Sequence, residues 1–166
     1  MSGEPRVWRF GDDVDTDAIA PGAYMKFGID RMASHCMEGL RPEFASSVRP
    51  GDVVVAGRNF GIGSSREQAP EALRHLGVSA VVAVSFAGLF YRNAMNLGLA
   101  VVVCPRAGEI DDGTTARVDL ANGRVELPGL RQSFDCEPIP AFLLGMLRDG
   151  GLIASLKRRL HSVVTP

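Results

Sequence analysis

Short, wholly apolar runs alternate with longer stretches of helical periodicity through much of this chain. Val53-Val54-Val55-Ala56 is apolar at every position, which predicts a strand covered on both faces. Ser79–Val84 and Leu99–Cys104 share that β-branched, apolar character. Between the runs, Arg66–Leu76 and Ala87–Leu97 read as helices, and Gly77 and Gly98 follow them as residues suited to closing a helix. Strand, helix, strand, helix, strand predicts parallel pairing with right-handed crossovers. Upstream, Arg6–Phe10 predicts a first strand, and Gly11–Asp17 is a polar turn rich in carboxylates. Ile19–Phe27 comes next. Asp30–Leu40 then predicts a helix whose buried face carries Met32, Cys36, Met37 and Leu40. Arg49-Pro50-Gly51-Asp52 reads as a turn. Beyond Pro105 the pattern changes. Thr115–Leu120 and Arg124–Leu127 flank Ala121-Asn122-Gly123, a hairpin signal. Pro140–Leu147 and Leu152–Leu160 predict closing helices around Gly150-Gly151. The expected class is α/β, with a mostly parallel core sheet, a small antiparallel piece, and helices packed on them.

Composition narrows the function classes. A chain of 166 residues suits one domain, residues 1–166, with a real hydrophobic core. A net charge of −1 gives no electrostatic case for nucleic acid. The longest apolar run, near Val78–Val84, falls far short of the ~20 residues of a membrane helix. Met1–Arg6 lacks the basic-then-apolar order of a signal peptide. The three cysteines, Cys36, Cys104 and Cys136, lie far apart in sequence, which fits a reduced, cytoplasmic protein. None has the close spacing of a zinc or iron–sulfur ligand set, so a metal cluster would have to come from another chain.

The richest chemistry follows the Val53–Ala56 strand, in Gly57-Arg58-Asn59-Phe60-Gly61-Ile62-Gly63-Ser64-Ser65-Arg66-Glu67. Ligands bind at the carboxyl ends of strands in open parallel sheets. Gly61 and Gly63 permit close backbone approach, a helix start offers unpaired N–H groups, and Arg66 offers a planar fork for a carboxylate. Ser64 and Ser65 add hydroxyls. The same residues also fit a plain capping box, Ser64 with Glu67 or Ser65 with Gln68. The loop lacks the Gly-Lys-Ser/Thr ending of a nucleotide P-loop and the third glycine of a dinucleotide fingerprint. Pro70 suits a tight first turn, with regular helix only from about that residue.

Three ordered segments resemble the swivelling domain of the aconitase superfamily, and within it the small subunits of the isopropylmalate dehydratase group. They are Asp13–Ile19 with Pro21–Tyr24, Asn59–Ala69, and Ser85–Asn93 with Asn96–Leu99. Gly150–Ile153 with Leu156-Lys157 is similar to the usual ending of such subunits. The resemblance implies a swivelling β/β/α three-layer domain. It implies a hydro-lyase that works only with a large subunit holding a [4Fe-4S] cluster through its own cysteines, with no cofactor bound by this chain. The implied substrate is a small 2-hydroxy dicarboxylic acid, isomerised by loss and return of water, with leucine biosynthesis as the setting. Ser64 matches the serine whose alkoxide removes a proton next to a carboxylate, Ser65 its substrate-binding neighbour, and Arg66 the carboxylate clamp; Gly63 lies against the same substrate. Asp15, Thr16, Asn59 and Arg92, with Asn93, are expected to brace the loops. Homoaconitase and hydro-lyases of methylmalate or maleate acids are the alternatives within the class, and a non-catalytic anion-binding regulatory module is the alternative outside it.

Two departures and some lesser candidates complete the reading. Ile62 stands where many relatives carry Cys, and Gly88 where many carry a charge. Tyr24–Arg31 aligns with the segment that meets the variable part of the substrate. Met25, Phe27 and Ile29 favour an alkyl group there, whereas Lys26 and Arg31 suit a further carboxylate. Gly28 falls near an arginine of tricarboxylate-binding relatives, which favours the alkyl acid. His35 beside Cys36 lacks a third orienting group and suits a structural role, His75 suits a helix-end dipole partner, and Asp12, Asp13, Asp15 and Asp17 lack a calcium-loop pattern.

Overall fold

Strand β2 (Val53–Ala56) is buried at all four positions because both edges are paired and layers cover both faces. Its neighbours are β1 (Val7–Arg9) and β3 (Ala80–Ala83), with β4 (Ala100–Val103) beyond. All three pairings are parallel, with Val7, Val53, Ala80 and Ala100 in register. A second, antiparallel sheet contains β5 (Arg117–Asp119), β6 (Arg124–Leu127) and β7 (Gln132–Asp135) in that order. Segments leading into and out of this small sheet cover both open edges of the parallel one. Val7 N–H donates to Thr114 O at 2.8 Å, and Glu137 N–H donates to Val103 O at 2.8 Å. Edge N–H and C=O groups are thereby satisfied rather than left as a template for aggregation. The computed structural model describes residues 3–164. Met1, Ser2, Thr165 and Pro166 lie outside the described residues, so the reading of Met1–Arg6 and the outer bounds of the domain reach beyond them.

The helices form a continuous set. They are α1 (Thr16–Ile19), α2 (Ile29–Ala33), α3 (Phe44–Ser47), α4 (Gln68–His75), α5 (Gly88–Leu97), α6 (Ala141–Asp149) and α7 (Leu152–Val164). Helix α4 packs against α1, α2 and α5, and α5 packs against α6 and α7. Phe44 of α3 sits edge-on to Trp8 and Phe10 at 5.2 and 5.4 Å, closing one end of the core. A buried carboxylate holds the start of the sheet. Asp52 is 4% exposed and accepts from Arg6 N, Arg49 N and the Trp8 indole, each at 2.9 Å.

The α/β class, the parallel sheet, the Ala121–Gly123 hairpin and the closure of α5 at left-handed Gly98 agree with expectation. One local expectation fails. The helix expected over Asp30–Leu40 stops at Ala33 and gives way to turns. Met37 takes a positive φ of 61°, and its N–H donates to Ala18 O of α1 instead of to its own helix. That bond turns Cys36 and Met37 inward and leaves Leu40 51% exposed. Helix α4 begins at Gln68, between Arg66 and the regular helix expected from about Pro70, and Pro70 falls in its first turn, where no N–H is required. Strand β7 carries no clean alternation, and its pairing with β6 emerges only in three dimensions.

Candidate active site

The loop after β2 is held by backbone rather than by its own side chains. Asp13 N–H donates to Arg58 O, Gly61 N–H to Val14 O, Thr16 N–H to Ile62 O, and Phe60 N–H to Ser85 O, all at 2.8–3.0 Å. Asn59, at φ 57°, donates its N–H to Ser85 Oγ and its side-chain amide to Asp13 Oδ1. Gly61 is required where it stands. Its φ is 82°, and a Cβ there would meet Phe90 Cγ at 2.2 Å. Gly63, at φ 118°, brings the chain against the Thr16 hydroxyl.

These bonds deliver Ser64 to Thr16, a residue only 3% exposed. Ser64 N–H donates to Thr16 Oγ1 at 3.1 Å, and the two hydroxyl oxygens lie 3.2 Å apart. Thr16 Oγ1 is thus occupied as an acceptor, and its own proton is available to Ser64 Oγ. An oxyanion on Ser64 would meet a donor already in place. Thr16 itself is positioned by α1, whose N-terminus Asp15 caps by accepting Ala18 N–H at 2.7 Å.

Arg66 is anchored on one side only. Its Nη1 donates to Asp17 Oδ1 at 2.8 Å and to Ala20 O at 3.1 Å. Among the described residues, Nη2 and Nε make no hydrogen bond, which leaves a guanidinium edge for a carboxylate. The Arg66 hydrogen bond, with the Gly22 N–H as second donor, holds the Asp17 carboxyl below the usual carboxylate range. Gly22 starts the 3-10 helix Gly22–Phe27, so the segment carrying Met25, Lys26 and Phe27 begins beside Arg66. Phe27 is 58% exposed with Lys26 Nζ 5.1 Å from its ring centre, and Met25 is at the surface. Among the described residues no hydrogen bond or ion pair joins these three to Ser64–Arg66.

The capping reading does not describe this loop. The residue preceding α4 is Glu67 in helical conformation, and it makes no side-chain cap bond. Ser64 therefore lies ahead of the helix start, and its hydroxyl meets the Thr16 hydroxyl rather than the helix. Ser65 is exposed, and its carbonyl accepts from Asn93 Nδ2 at 3.3 Å. Asn93 is the α5 residue that hydrogen-bonds the loop, whereas Arg92 is exposed and, among the described residues, makes no hydrogen bond to it. Asp17 was readable only as part of an acidic turn, although its place in the ordered N-terminal segment was the one available signal. Among the described residues, no hydrogen bond or ion pair joins His35 to Ser64. His35 stacks on Tyr24 at 3.6 Å and 4° and bonds Glu38 at 2.5 Å. His75 lies in the last turn of α4 and pairs with Asp30 at 2.8 Å, which also ties α4 to α2. Among the described residues no three His, Cys, Asp or Glu side chains converge as a metal site, and no helix is long and apolar enough to cross a membrane.

Known proteins are similar to this chain in sequence and in fold. The Aconitase C-terminal domain family matches residues 42–107. The methanogen homoaconitase small subunit of Methanothermobacter thermautotrophicus is 54% identical over 89% of this chain and 86% of its own length. The 3-isopropylmalate dehydratase small subunit of Halothermothrix orenii is 47% identical over 92% of this chain and 93% of its own. The crystal structure of 3-isopropylmalate dehydratase (leuD) from Methanocaldococcus jannaschii superposes with a TM-score of 0.89 at 44% identity, covering 95% of this chain and 94% of that one.

Proposed function

The chain belongs to the 3-isopropylmalate dehydratase small-subunit family of aconitase-type proteins, and from that premise we propose that it supplies the base and the carboxylate clamp for interconverting 2-isopropylmalate and 3-isopropylmalate. In this reading it acts in the cytoplasm as a single swivelling domain beside a large subunit. Its own side chains do not fit the cluster that the family implies: the described residues offer no converging ligand set. In this reading the [4Fe-4S] cluster belongs to the large subunit.

The observation that carries the reading is the Ser64–Thr16–Arg66–Asp17 constellation. Ser64 Oγ takes the proton from the carbon next to a substrate carboxylate while Thr16 donates to the oxygen that forms. Arg66, steadied by Asp17, holds that carboxylate with its free edge and sets the proton within reach. A free serine hydroxyl is hardly ionised at neutral pH, and in the lone chain Ser64 and Ser65 are open to water. A covering subunit has to dry the site before one hydroxyl donor has much effect. Ser65 and Gly63 line the same substrate position, and Met25, Lys26 and Phe27 face its variable arm.

The test combines the chain with an iron–sulfur large subunit and follows isomerisation of isopropylmalate. The pair should turn over and the lone chain should not. Ser64→Ala should lower kcat by roughly 10²–10⁴-fold with a smaller effect on KM. Arg66→Lys should mainly raise KM, because the fork geometry is lost. Turnover by the lone chain without iron, or full activity in Ser64→Ala, would overturn the proposal. A second reading, homoaconitate as substrate, is favoured by the 54% identical homoaconitase subunit and by the cations Lys26 and Arg31 flanking the exposed segment. Lys26→Ala with Arg31→Ala should leave isopropylmalate turnover nearly unchanged; a selective loss on homoaconitate would establish the second reading.

A further inference from the structure

Two cysteines that the reaction does not use meet across the two sheets. Cys104 follows the last residue of β4, and Cys136 follows the last residue of β7. The Glu137 N–H to Val103 O bond, 2.8 Å, joins the backbone immediately beside both. Cys104 Sγ lies 3.8 Å from Asp135 O, one residue before Cys136, and Cys136 Sγ lies 3.6 Å from Phe134 O. A disulfide needs neighbouring backbones, and the bond between Glu137 and Val103 supplies them beside both cysteines. Cys136 is partly exposed while Cys104 is fully buried behind it. The third cysteine, Cys36, is buried in the core on α2's side, and burial pushes its thiol up.

We propose that Cys104 and Cys136 form a redox-active dithiol that takes a hydroperoxide as oxidant and closes to a disulfide clasping the antiparallel sheet to the parallel one. The inference stands apart from the proposed reaction and uses none of its residues. The pair loses its first proton readily. A thiolate at Cys104 is stabilised first by the Cys136 thiol and then, against the cost of burial, by the Arg106 backbone and guanidinium, which brings it to about 7. The proton that stays is held more tightly, since Cys136 bears it against the neighbouring thiolate. Only Cys136 is reachable, so its thiol passes its proton to the Cys104 thiolate as its own sulfur attacks. Cys136 sulfur attacks one peroxide oxygen and the O–O bond breaks. Cys136 becomes a sulfenic acid, and the other oxygen leaves as alcohol or water. Cys104 sulfur then attacks Cys136 sulfur, the S–O bond breaks, and water departs. Two electrons pass from the sulfurs to the peroxide, and both thiol protons end in the products.

The experiment treats the reduced full chain with about one equivalent of hydrogen peroxide at neutral pH and follows intact mass, peptide map and thermal midpoint. The intact mass should fall by about 2 Da, with one cross-link joining the Cys104 and Cys136 peptides. The closed loop of about 30 residues should raise the midpoint by roughly 5–10 °C, and dithiothreitol should reverse both changes. Cys36→Ser should behave as wild type, whereas Cys136→Ser should show neither the mass loss nor the shift. Oxygen addition at Cys136 with Cys104 left as a free thiol would overturn the proposal, as would a bridge to Cys36 or between two chains.

Discussion

Thr16 uses one oxygen for two purposes: it accepts Ser64 N–H and stands 3.2 Å from Ser64 Oγ. Thr16→Val keeps the shape and removes the hydroxyl. With the large subunit present, kcat/KM should fall roughly 10–100-fold, while Thr16→Ser should retain most of it. Steady-state kinetics on both variants, with circular dichroism to verify folding, checks this. Asp17 makes a sign-definite prediction. Its folded value is lowered, first by the Arg66 hydrogen bond, so the pair with Arg66 is fully present above the ordinary carboxylate value and is lost as pH falls through the lowered one. An NMR titration of Asp17 should find its midpoint below 3.8. Because that side chain is 68% exposed, the pair orients Arg66 rather than stabilising the fold. Asp52 is the opposite case. Buried under three N–H donors, its replacement by Ala should cost about 2–4 kcal/mol, seen as an earlier urea midpoint in Trp8 fluorescence.

At the scale of elements, strands and helices with strong periodicity were legible and the joins between them were not. β2, β3, β4 and α5 lie within a residue or two of expectation, because burial on both faces and a left-handed glycine leave local marks. The Asp30–Leu40 pattern counted four apolar residues on one helical face, yet Met37 leaves the helix to bond α1. Periodicity records which side chains are buried, not which backbone partner they choose. The capping box failed for a related reason. Ser64 has a helix-start spacing, but the Thr16 hydroxyl competes for its N–H and the helix begins later. Gly61 tests the fit of the loop on α5. Gly61→Ala combines a clash with Phe90 and an unfavourable φ, so it should cost about 3 kcal/mol or more in a urea titration. Pairing it with Phe90→Ala should recover part of that loss if the clash is the main term.

At the scale of the whole molecule, the parallel sheet presents its loops on one side while the antiparallel sheet's flanking segments seal both of its edges. Ser64 and Ser65 remain open to water, so half of the chemistry is a surface. A covering subunit should therefore slow hydrogen exchange at 61–66 and 22–27 more than in the core strands, as mass spectrometry of free and bound chain would show. The amino-acid sequence alone determined the α/β class, the buried strands and the serine–arginine loop. Each depends on local composition and spacing, which a run of ten residues already carries. Only the tertiary structure decided that Thr16 meets Ser64 across 48 positions, that Asp17 meets Arg66 across 49, and that Cys104 adjoins Cys136. Those meetings depend on how the layers stack and on which backbone groups each loop satisfies. No local pattern encodes them, because the competing partners are equally good in sequence and are separated only by packing.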